Sequence, residues 1–204
     1  MKILLLRHAA TSQSVKRLIR DDHEDFSLSE EGVVQAIVLK DKFIDLTEIF
    51  KIYVSPAKRC LQTAEIIFPD FIDRFEIAPE LREIDKGFAC AIKKNPSLKD
   101  MTIDDWELKY NNSSDPLARN SYIYPSGESV LMMNSRVAAF FDRIINRAED
   151  AKIIIISHNG PIRAIIAHAL GLEYANRLIA IEPGSYSELS RDGYGFILSK
   201  LNAR

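Results

Sequence analysis

The sequence predicts an α/β fold, a three-layer α/β/α sandwich in which helices cover both faces of a mainly parallel central sheet. Three short apolar runs support this fold class, at residues 2–6, 50–54 and 152–157. The last run, KIIIIS, contains four isoleucines and shows no alternation between apolar and polar residues. Such continuous β-branched runs suit strands that are buried on both faces, and each run is followed by a helical pattern, which is typical of a parallel sheet.

Apolar residues at helical spacing predict four helices. Their ranges are 28–44, 57–68, about 128–147 and 160–171. Ser29 is the expected N-cap of the first helix, Pro56 and Pro69 bracket the second, and Gly171 is the expected stop of the last. In the long third helix, seven apolar residues recur every three or four positions: Val130, Met133, Val137, Phe140, Phe141, Ile144 and Ile145.

Two further segments complete the predicted architecture. Near the carboxyl terminus, Asp192-Gly193 predicts the turn of a β-hairpin. Residues 92–124 are polar and rich in Asn, Asp, Ser and Pro, and we expect one short helix there around Trp106. We interpret 1–204 as a single domain that carries this segment as an insertion, with the possible role of a lid over a site.

Composition limits the classes of partner and compartment. The chain has 204 residues, 47% of them hydrophobic, which suffices for one sizeable core. Its net charge of −2 provides no basic field, so neither nucleic acid nor an anionic membrane is the expected partner. Cys60 and Cys90 have no metal-ligand spacing and suggest a reducing compartment. No apolar run resembles a signal peptide or a membrane span, so we expect a cytoplasmic protein.

The ends of the three predicted strands carry the residues that could perform chemistry. In parallel α/β sheets, ligands bind beyond the carboxyl ends of the strands. The first strand ends in Arg7-His8, and the last ends in His158. The middle strand ends at Ser55-Pro56 and leads into a helix whose first turn carries Arg59. The chain has only four histidines, so two of them at strand ends favour one shared site.

Arginines, imidazoles and a helix start together suit a phosphoryl group. Arginine presents a planar, permanently charged fork that matches phosphate oxygens, and the helix start at Gly160 offers backbone N–H groups. Imidazole has an ordinary pKa of about 6.5, so it can be neutral near pH 7, and nearby cations favour that neutral form. A neutral imidazole nitrogen can attack phosphorus. The residues therefore predict a pocket for a dianionic phosphoryl group.

Six motifs, in order along the chain, carry a family resemblance. They are RHAAT, LSEEGVVQA, SPAKRCLQTAEII, LREIDKG, PSGES and SHNGPIR. In this order and spacing the chain resembles the histidine phosphatase superfamily, also called the phosphoglycerate mutase-like family, and more specifically its phosphatase branch. The resemblance covers nearly the whole chain except about 92–120.

The resemblance implies a role for each of five catalytic residues. His8 matches the nucleophile that becomes a phosphohistidine, and Arg7 and Arg59 match the phosphate-binding arginines. His158 matches the second histidine at the phosphoryl oxygens. Glu83 matches the general acid that protonates the leaving oxygen and later activates water. No metal and no cofactor are expected, because arginines neutralise the phosphate.

The predicted substrate-binding residues depart in part from the family pattern. Ala9 and Ala10 stand where the family usually has Gly and Glu, while Thr11 is kept. Ser14 stands at a usual Asn position and Asn159 at a usual Gly position. We expect substrate contacts from four residues: Thr11, Ser14, Asn159 and Glu128. Because some of these residues depart from the family pattern, the sequence predicts a small phosphorylated metabolite as substrate but does not identify it.

Four functions compete on this sequence. The first is a phosphomonoesterase, and the alternative is a cofactor-dependent phosphoglycerate mutase, which the chain fits less well because 92–124 has no additional basic segment. A non-catalytic phospho-ligand binder and a metallohydrolase are weaker alternatives, the latter because no aspartate ligands accompany His8 and His158. Four other residues are assigned structural roles: His23, His168, Trp106 and Tyr110. The oligomeric state is left open.

Overall fold

The computed structural model describes residues 1–12, 26–43, 49–87, 114–124, 126–146, 152–172 and 179–204. Five residues singled out in the sequence lie outside these ranges: Ser14, His23, Cys90, Trp106 and Tyr110. The expected helix around Trp106 lies outside them too, and of the predicted insertion only 114–124 is described.

One six-stranded sheet forms the centre of the fold. Its strands are β1 (Lys2–Arg7), β2 (Ile49–Val54), β3 (Phe75–Ile77), β4 (Lys152–Ser157), β5 (Tyr186–Asp192) and β6 (Gly195–Ala203). Their spatial order is β3-β2-β4-β1-β5-β6. The pairs β3/β2, β2/β4 and β4/β1 are parallel, whereas β5 is antiparallel to both β1 and β6. The prediction of a mainly parallel central sheet is therefore confirmed.

Helices follow the parallel strands, as predicted. They are α1 (Glu30–Lys42), α2 (Lys58–Ile67), α3 (Pro116–Ser121), α4 (Val130–Ile145) and α5 (Asn159–Ala169). Two 3-10 segments, Pro69–Arg74 and Pro79–Leu81, flank β3. The four predicted helices are confirmed, with ends displaced by one or two residues.

The two core clusters give the sandwich its three layers. Side chains alternate across a strand, so Ile3 and Leu5 of β1 face one side while Leu4 and Leu6 face the other. On the first side they pack with buried residues of α4 and α5, such as Phe141. On the second side they pack with α1 and α2. Helices thus cover both faces, and this accounts for the lack of polar alternation in β1 and β4.

The signals at helix ends act as expected. Ser29 caps α1, because its Oγ accepts the Gly32 N–H at 3.1 Å. Ser129 caps α4 by accepting the Met132 N–H at 3.1 Å. Gly171 follows α5 with a φ of +64°, a left-handed conformation that favours glycine and ends the helix. The expected Asp192-Gly193 turn joins β5 and β6.

Two features of the sheet were not predicted from the sequence. β3 has only three residues, and it lies at the sheet edge with Glu76 and Ile77 exposed, so its sequence carries no buried apolar run. The hairpin was expected, but its pairing with β1 is a long-range contact that no local pattern encodes. Among the described residues, no helix is long and apolar enough to cross a membrane.

A buried carboxylate on β5 stabilises this hairpin against β1. Glu188 is only 7% exposed, and its carboxylate lies 3.0 Å from Lys2 Nζ and 3.5 Å from Lys200 Nζ. Burial raises the pKa of Glu188, but the hydrogen bond and charge of Lys2, helped by Lys200 and Ser199, outweigh it and hold the pKa below its ordinary value. A lowered pKa in the folded state means that the ionised carboxylate stabilises the fold.

We therefore expect Glu188→Gln to lower Tm at pH 7 by a few degrees, with about 2–4 °C for each kcal/mol lost in a chain of this size. The difference from the unchanged protein should shrink as the pH falls below the ordinary carboxyl pKa of about 4.3, because protonation removes the same charge. Thermal unfolding across pH measures both. Glu76→Gln is the control, since the Lys51–Glu76 pair is exposed at 36% and 50% and contributes little. A difference independent of pH would contradict this account.

Candidate active site

The carboxyl ends of three neighbouring parallel strands meet at one edge of the sheet. β1 pairs with β4 so that Arg7 lies opposite Ser157, and β2 pairs with β4 so that Val54 lies opposite Ile156. The residues that follow these strands are therefore brought side by side. His8 follows β1, and His158 follows β4, as the strand-end rule predicted.

His8 is completely buried and its ring is oriented by the backbone. The backbone N–H of His8 donates to the Ser157 carbonyl at 2.9 Å, and the ring Nδ1 lies 2.8 Å from the Ala9 carbonyl oxygen. A carbonyl oxygen only accepts, so Nδ1 must carry the proton in this contact. In the neutral ring Nε2 then keeps its lone pair. The backbone thus selects the tautomer in which Nε2 is the nucleophilic atom.

His158 is held in the opposite tautomer. Arg59 Nη2 lies 3.1 Å from His158 Nδ1, and since a guanidinium can only donate, Nδ1 accepts. Nε2 then carries the proton and points to Ser55 Oγ at 2.8 Å. The rings of His8 and His158 meet edge to face with centroids 5.2 Å apart. The two predicted histidines and one predicted arginine therefore form a single cluster.

Helix α2 supplies the cation of this cluster and supports the loop after β1. Arg59 is 1% exposed although it lies in the first turn of α2. One turn later, Thr63 Oγ1 donates to the Arg59 carbonyl at 2.7 Å and accepts the Ala9 N–H at 3.1 Å. Cys60 Sγ lies 3.6 Å from His158 Nε2. One face of α2 therefore contacts both histidine-bearing segments.

Arg7 is half-buried at the end of β1. Its Nη1 donates to the Ile181 carbonyl, and its backbone N–H donates to the Ser185 carbonyl at 3.1 Å. These contacts tie the arginine to the segment that leads into β5. The phosphate contact expected of Arg7 stays a prediction.

Glu83 reaches the cluster from a separate loop. Its Oε2 accepts the Gly160 N–H at 3.2 Å, and its Oε1 accepts the Ile84 N–H at 3.0 Å. Gly160 lies two residues after His158, so the carboxylate sits at the start of α5. Asp85, the other acidic residue of this loop, uses Oδ1 to accept the Gly87 N–H at 2.8 Å. The geometry thus favours Glu83 over Asp85 as the acid beside the histidines.

The predicted substrate-binding residues occupy different places. Thr11 is buried and its backbone bridges to Leu28, and Asn159 is half-buried in the first turn of α5. The Glu128 carboxylate accepts the Asp85 N–H at 3.0 Å and pairs with Arg136. Ser14 lies outside the described residues. Substrate contacts of all four stay predictions.

Sequence reasoning missed the residues that orient the cluster. Ser55 stands at the end of β2, so the strand-end rule that selected the histidines also points to it. Thr63 lies four residues after Arg59, on the same face of one helix, which is the usable signal for that residue. His168, assigned a structural role, is exposed, and its Nε2 lies 2.8 Å from Asp142 Oδ1.

The chemistry of the cluster suits an anion with several oxygens. A buried guanidinium is costly unless opposite charge or hydrogen bonds compensate it, and here it neighbours imidazole rings that can donate or accept. The start of α5 adds backbone N–H groups to the same place. Within the described ranges, no three His, Cys, Asp or Glu side chains come close enough to hold a metal ion.

Comparisons with known proteins relate this geometry to a family. The model of the histidine phosphatase superfamily (branch 1) matches residues 3–204, nearly the whole chain. Among curated proteins, a probable phosphoglycerate mutase GpmB of Proteus mirabilis is 26% identical over 197 residues, covering 93% of this chain and 84% of the relative. An adenosylcobalamin/alpha-ribazole phosphatase of Salmonella typhimurium is 23% identical over 216 residues, covering 100% and 97%.

Solved structures share the fold. The crystal structure of the alpha-ribazole phosphatase from Shigella flexneri superposes with a TM-score of 0.82 at 21% identity. The alignment covers 100% of this chain and 96% of that one. At this identity the likeness establishes the phosphoglycerate mutase-like α/β fold predicted from the sequence.

The contact between Glu83 and Gly160 leads to a prediction. A Cβ added at Gly160 would lie 2.2 Å from Glu83 Oε1, so we expect Gly160→Ala to displace the carboxylate. A crystal structure of the variant measures this displacement. Gly193→Ala is the control, because a Cβ there meets nothing within 4 Å. An unmoved Glu83 carboxylate in Gly160→Ala would contradict the tight packing described here.

Proposed function

This chain belongs to the histidine phosphatase superfamily, and we propose that it is a phosphomonoesterase that hydrolyses a small phosphorylated metabolite through a phosphohistidine intermediate. One observation carries the proposal. His8 Nδ1 is directed at the Ala9 carbonyl, which leaves Nε2 as the nucleophilic nitrogen beside His158 and Arg59.

In the first step, His8 Nε2 attacks phosphorus while the bond between phosphorus and the leaving oxygen breaks. Glu83, protonated at this stage, gives its proton to the leaving oxygen, so an alcohol departs and phosphohistidine remains. Arg7, Arg59 and His158 are the groups proposed to hold the phosphoryl oxygens. Their charges and N–H groups stabilise the transition state in phosphoryl transfer, where negative charge is spread over those oxygens.

In the second step, the Glu83 carboxylate takes a proton from water, which attacks phosphorus and releases inorganic phosphate from His8. The sum is one phosphomonoester and one water converted into one alcohol and one phosphate. Splitting the displacement into two steps lets one carboxyl group act first as acid and then as base. Its position at the start of α5, next to His158, supports this double role.

The contact between Arg59 and His158 is compatible with binding of a phosphoryl group before the first step. Arg59 is always cationic, and its Nη2 donates to the neutral Nδ1 of His158. A phosphoryl dianion is a stronger acceptor than a neutral nitrogen, so the guanidinium can exchange one partner for the other without leaving the pocket. In the same exchange, the Nε2–H of His158 can pass from Ser55 Oγ to a phosphoryl oxygen, which is a stronger acceptor than a hydroxyl group.

The family and the names of relatives guide the choice of substrates. Relatives are named for alpha-ribazole phosphate, phosphoserine and 2-carboxy-D-arabinitol 1-phosphate, all small phosphomonoesters. We propose a substrate of this class for the present chain. As in the sequence analysis, we expect no metal and no cofactor, no nucleic acid or membrane partner, and a cytoplasmic location.

A phosphoglycerate mutase is the second candidate, because two curated relatives at 26% identity carry that name. A mutase passes the phosphoryl group of the phosphohistidine back to the substrate instead of to water. Incubation with 3-phosphoglycerate and 2,3-bisphosphoglycerate distinguishes the two functions. Rapid formation of 2-phosphoglycerate without release of phosphate would favour the mutase.

His8→Ala should lower kcat/KM for p-nitrophenyl phosphate by about 10³-fold or more, because it removes the nucleophile. The unchanged enzyme, quenched during turnover, should carry a phosphoryl group that is labile in acid and stable in alkali. Mass spectrometry of the quenched protein locates it. His168→Ala is the matched control, since that histidine is 40% exposed and its side chain contacts Asp142 and the Phe141 ring, neither of which belongs to the histidine cluster. A phosphoenzyme that survives His8→Ala would refute the assignment.

A panel of phosphorylated metabolites tests the substrate class and the expected independence from metals. We expect release of phosphate from at least one small phosphomonoester in the presence of a chelator, at the rate measured without it. Alpha-ribazole phosphate, phosphoserine and 3-phosphoglycerate head the panel. An enzyme that becomes active only after addition of a divalent metal would instead support the metallohydrolase alternative.

A further inference from the structure

We propose that Arg136 and Glu128 form a clamp that positions Glu83 for proton transfer to the leaving oxygen. Both are positioning residues, since they act through Glu83 and not on the substrate. The inference rests on the acid role given to Glu83 in the proposed function. It also gives Glu128 a different task from the substrate contact expected from the sequence.

The guanidinium of Arg136 holds the backbone of the loop that carries Glu83. Nη1 donates to the Glu80 carbonyl, and one N–H of Nη2 is shared between the carbonyls of Arg82 and Glu83, at N···O distances of 2.9 and 3.2 Å. These three acceptors lie immediately before and at the acid. One side chain thereby fixes the path of the chain that presents the Glu83 carboxylate.

Glu128 completes the clamp from the other side. Its carboxylate forms a fork with Arg136, with Nε to Oε2 at 3.0 Å and Nη2 to Oε1 at 2.5 Å. The same Oε1 accepts the Asp85 N–H at 3.0 Å, while the Glu128 N–H donates to the Asp85 carbonyl at 2.9 Å. The loop is thus hydrogen-bonded on both sides of Glu83, at 80–82 by Arg136 and at Asp85 by Glu128.

The loop needs such support because residues 83–86 form neither helix nor strand. Within the described ranges, the Glu83 carboxylate accepts two hydrogen bonds, from the backbone N–H groups of Ile84 and Gly160. A general acid works only within hydrogen-bond reach of the atom that it protonates, and misplacement by about 1 Å can cost about 10²-fold in rate. The clamp transfers rigidity to the loop from α4.

Helix α4 is a suitable anchor. Arg136 is adjacent in sequence to Val137, which is fully buried, and Phe140 and Phe141 pack in the same core one turn later. Side chains held by packed helices keep their positions better than side chains on loops. The arginine fork also restricts geometry more than a single charge would, because its donors lie in one plane.

A positioning role predicts an effect that depends on the leaving group. Phenol is a far more basic leaving group than p-nitrophenol, so phenyl phosphate needs the acid and p-nitrophenyl phosphate needs it little. Loss of the acid should therefore reduce turnover of phenyl phosphate selectively, by the ~10²–10⁴-fold that general acids contribute. A variant that merely loosens the whole fold should reduce turnover of both substrates together.

The experiment compares kcat/KM for these two substrates in four variants of the full chain. Glu83→Gln sets the reference. Arg136→Gln should lower the value at least about 10-fold for phenyl phosphate and less than about 3-fold for p-nitrophenyl phosphate. In Glu83→Gln/Arg136→Gln, phenyl phosphate should be turned over within about 2-fold of Glu83→Gln alone, since residues that act as a unit are not additive.

Arg143→Gln is the matched control and should leave both values within about 2-fold. Arg143 lies two turns further along α4 and reaches the same loop, but it bonds the Glu80 carboxylate at 2.8 Å and is 46% exposed. If Arg136→Gln fails to fold, Glu128→Gln replaces it. We then expect a smaller reduction of kcat/KM, again selective for phenyl phosphate. Circular dichroism of each sample reports the folded fraction independently of activity.

Three results would overturn the clamp: equal losses for both substrates, full additivity with Glu83→Gln, or the same selective loss in Arg143→Gln. If Glu83→Gln itself shows no preference between the substrates, Glu83 is not the acid, and the clamp loses its purpose as well. The phosphohistidine at His8 is tested separately by trapping the phosphoenzyme. A Glu83→Gln variant without substrate preference would therefore not contradict the proposed nucleophile.

Discussion

The alignment of β1, β4 and β2 is the constraint on which the rest of this site depends. Parallel pairing places the carboxyl ends of all three strands at one edge, and the observed register sets Arg7 opposite Ser157 and Val54 opposite Ile156. The next residues along each strand are His8, His158 and Ser55, so a polar cluster forms where three buried apolar runs end. A shift by one residue in either pairing would move these strand ends apart and disrupt the packing of the strands with the helices in both core clusters. The packing of the core thus also fixes the separation of the two imidazoles.

Burial gives this cluster its chemical character. His8, His158 and Arg59 are each no more than 1% exposed, so water screens their interactions poorly. Hydrogen bonds therefore decide the proton positions: a carbonyl assigns the proton of His8 to Nδ1, and a guanidinium assigns that of His158 to Nε2. The two rings are chemically identical in the sequence but are given opposite tautomers by their surroundings. This difference suits one ring to attack and the other to donate, before any ligand is present.

The sequence predicted those parts of the molecule whose signals are local. Four isoleucines in a row, a serine at the N-cap of α1 and the strand-end histidines all act within a few residues, and the structure agrees with each. β3 escaped prediction because its three residues lie at an edge and bury little. The contacts of Glu128 escaped as well, since its partners Asp85 and Arg136 lie 43 residues before it and eight after it. A motif can identify such a residue as important, but only the folded chain shows what it contacts.

Two separate parts of the fold hold the site, and one hydrogen bond joins them. The histidine pair and Arg59 are held by strand ends and α2, whereas the loop of Glu83 is held by Arg136 of α4. Gly160 belongs to the first of these parts, because it lies two residues after His158 in the first turn of α5, and its N–H to Glu83 Oε2 at 3.2 Å joins the proposed acid to the histidine cluster. A movement of this loop would therefore reach the proposed acid, Glu83, without passing through the proposed nucleophile, His8. In such an arrangement, different residues can tune proton transfer and phosphoryl binding, which suits a two-step reaction whose acid and nucleophile are separate groups.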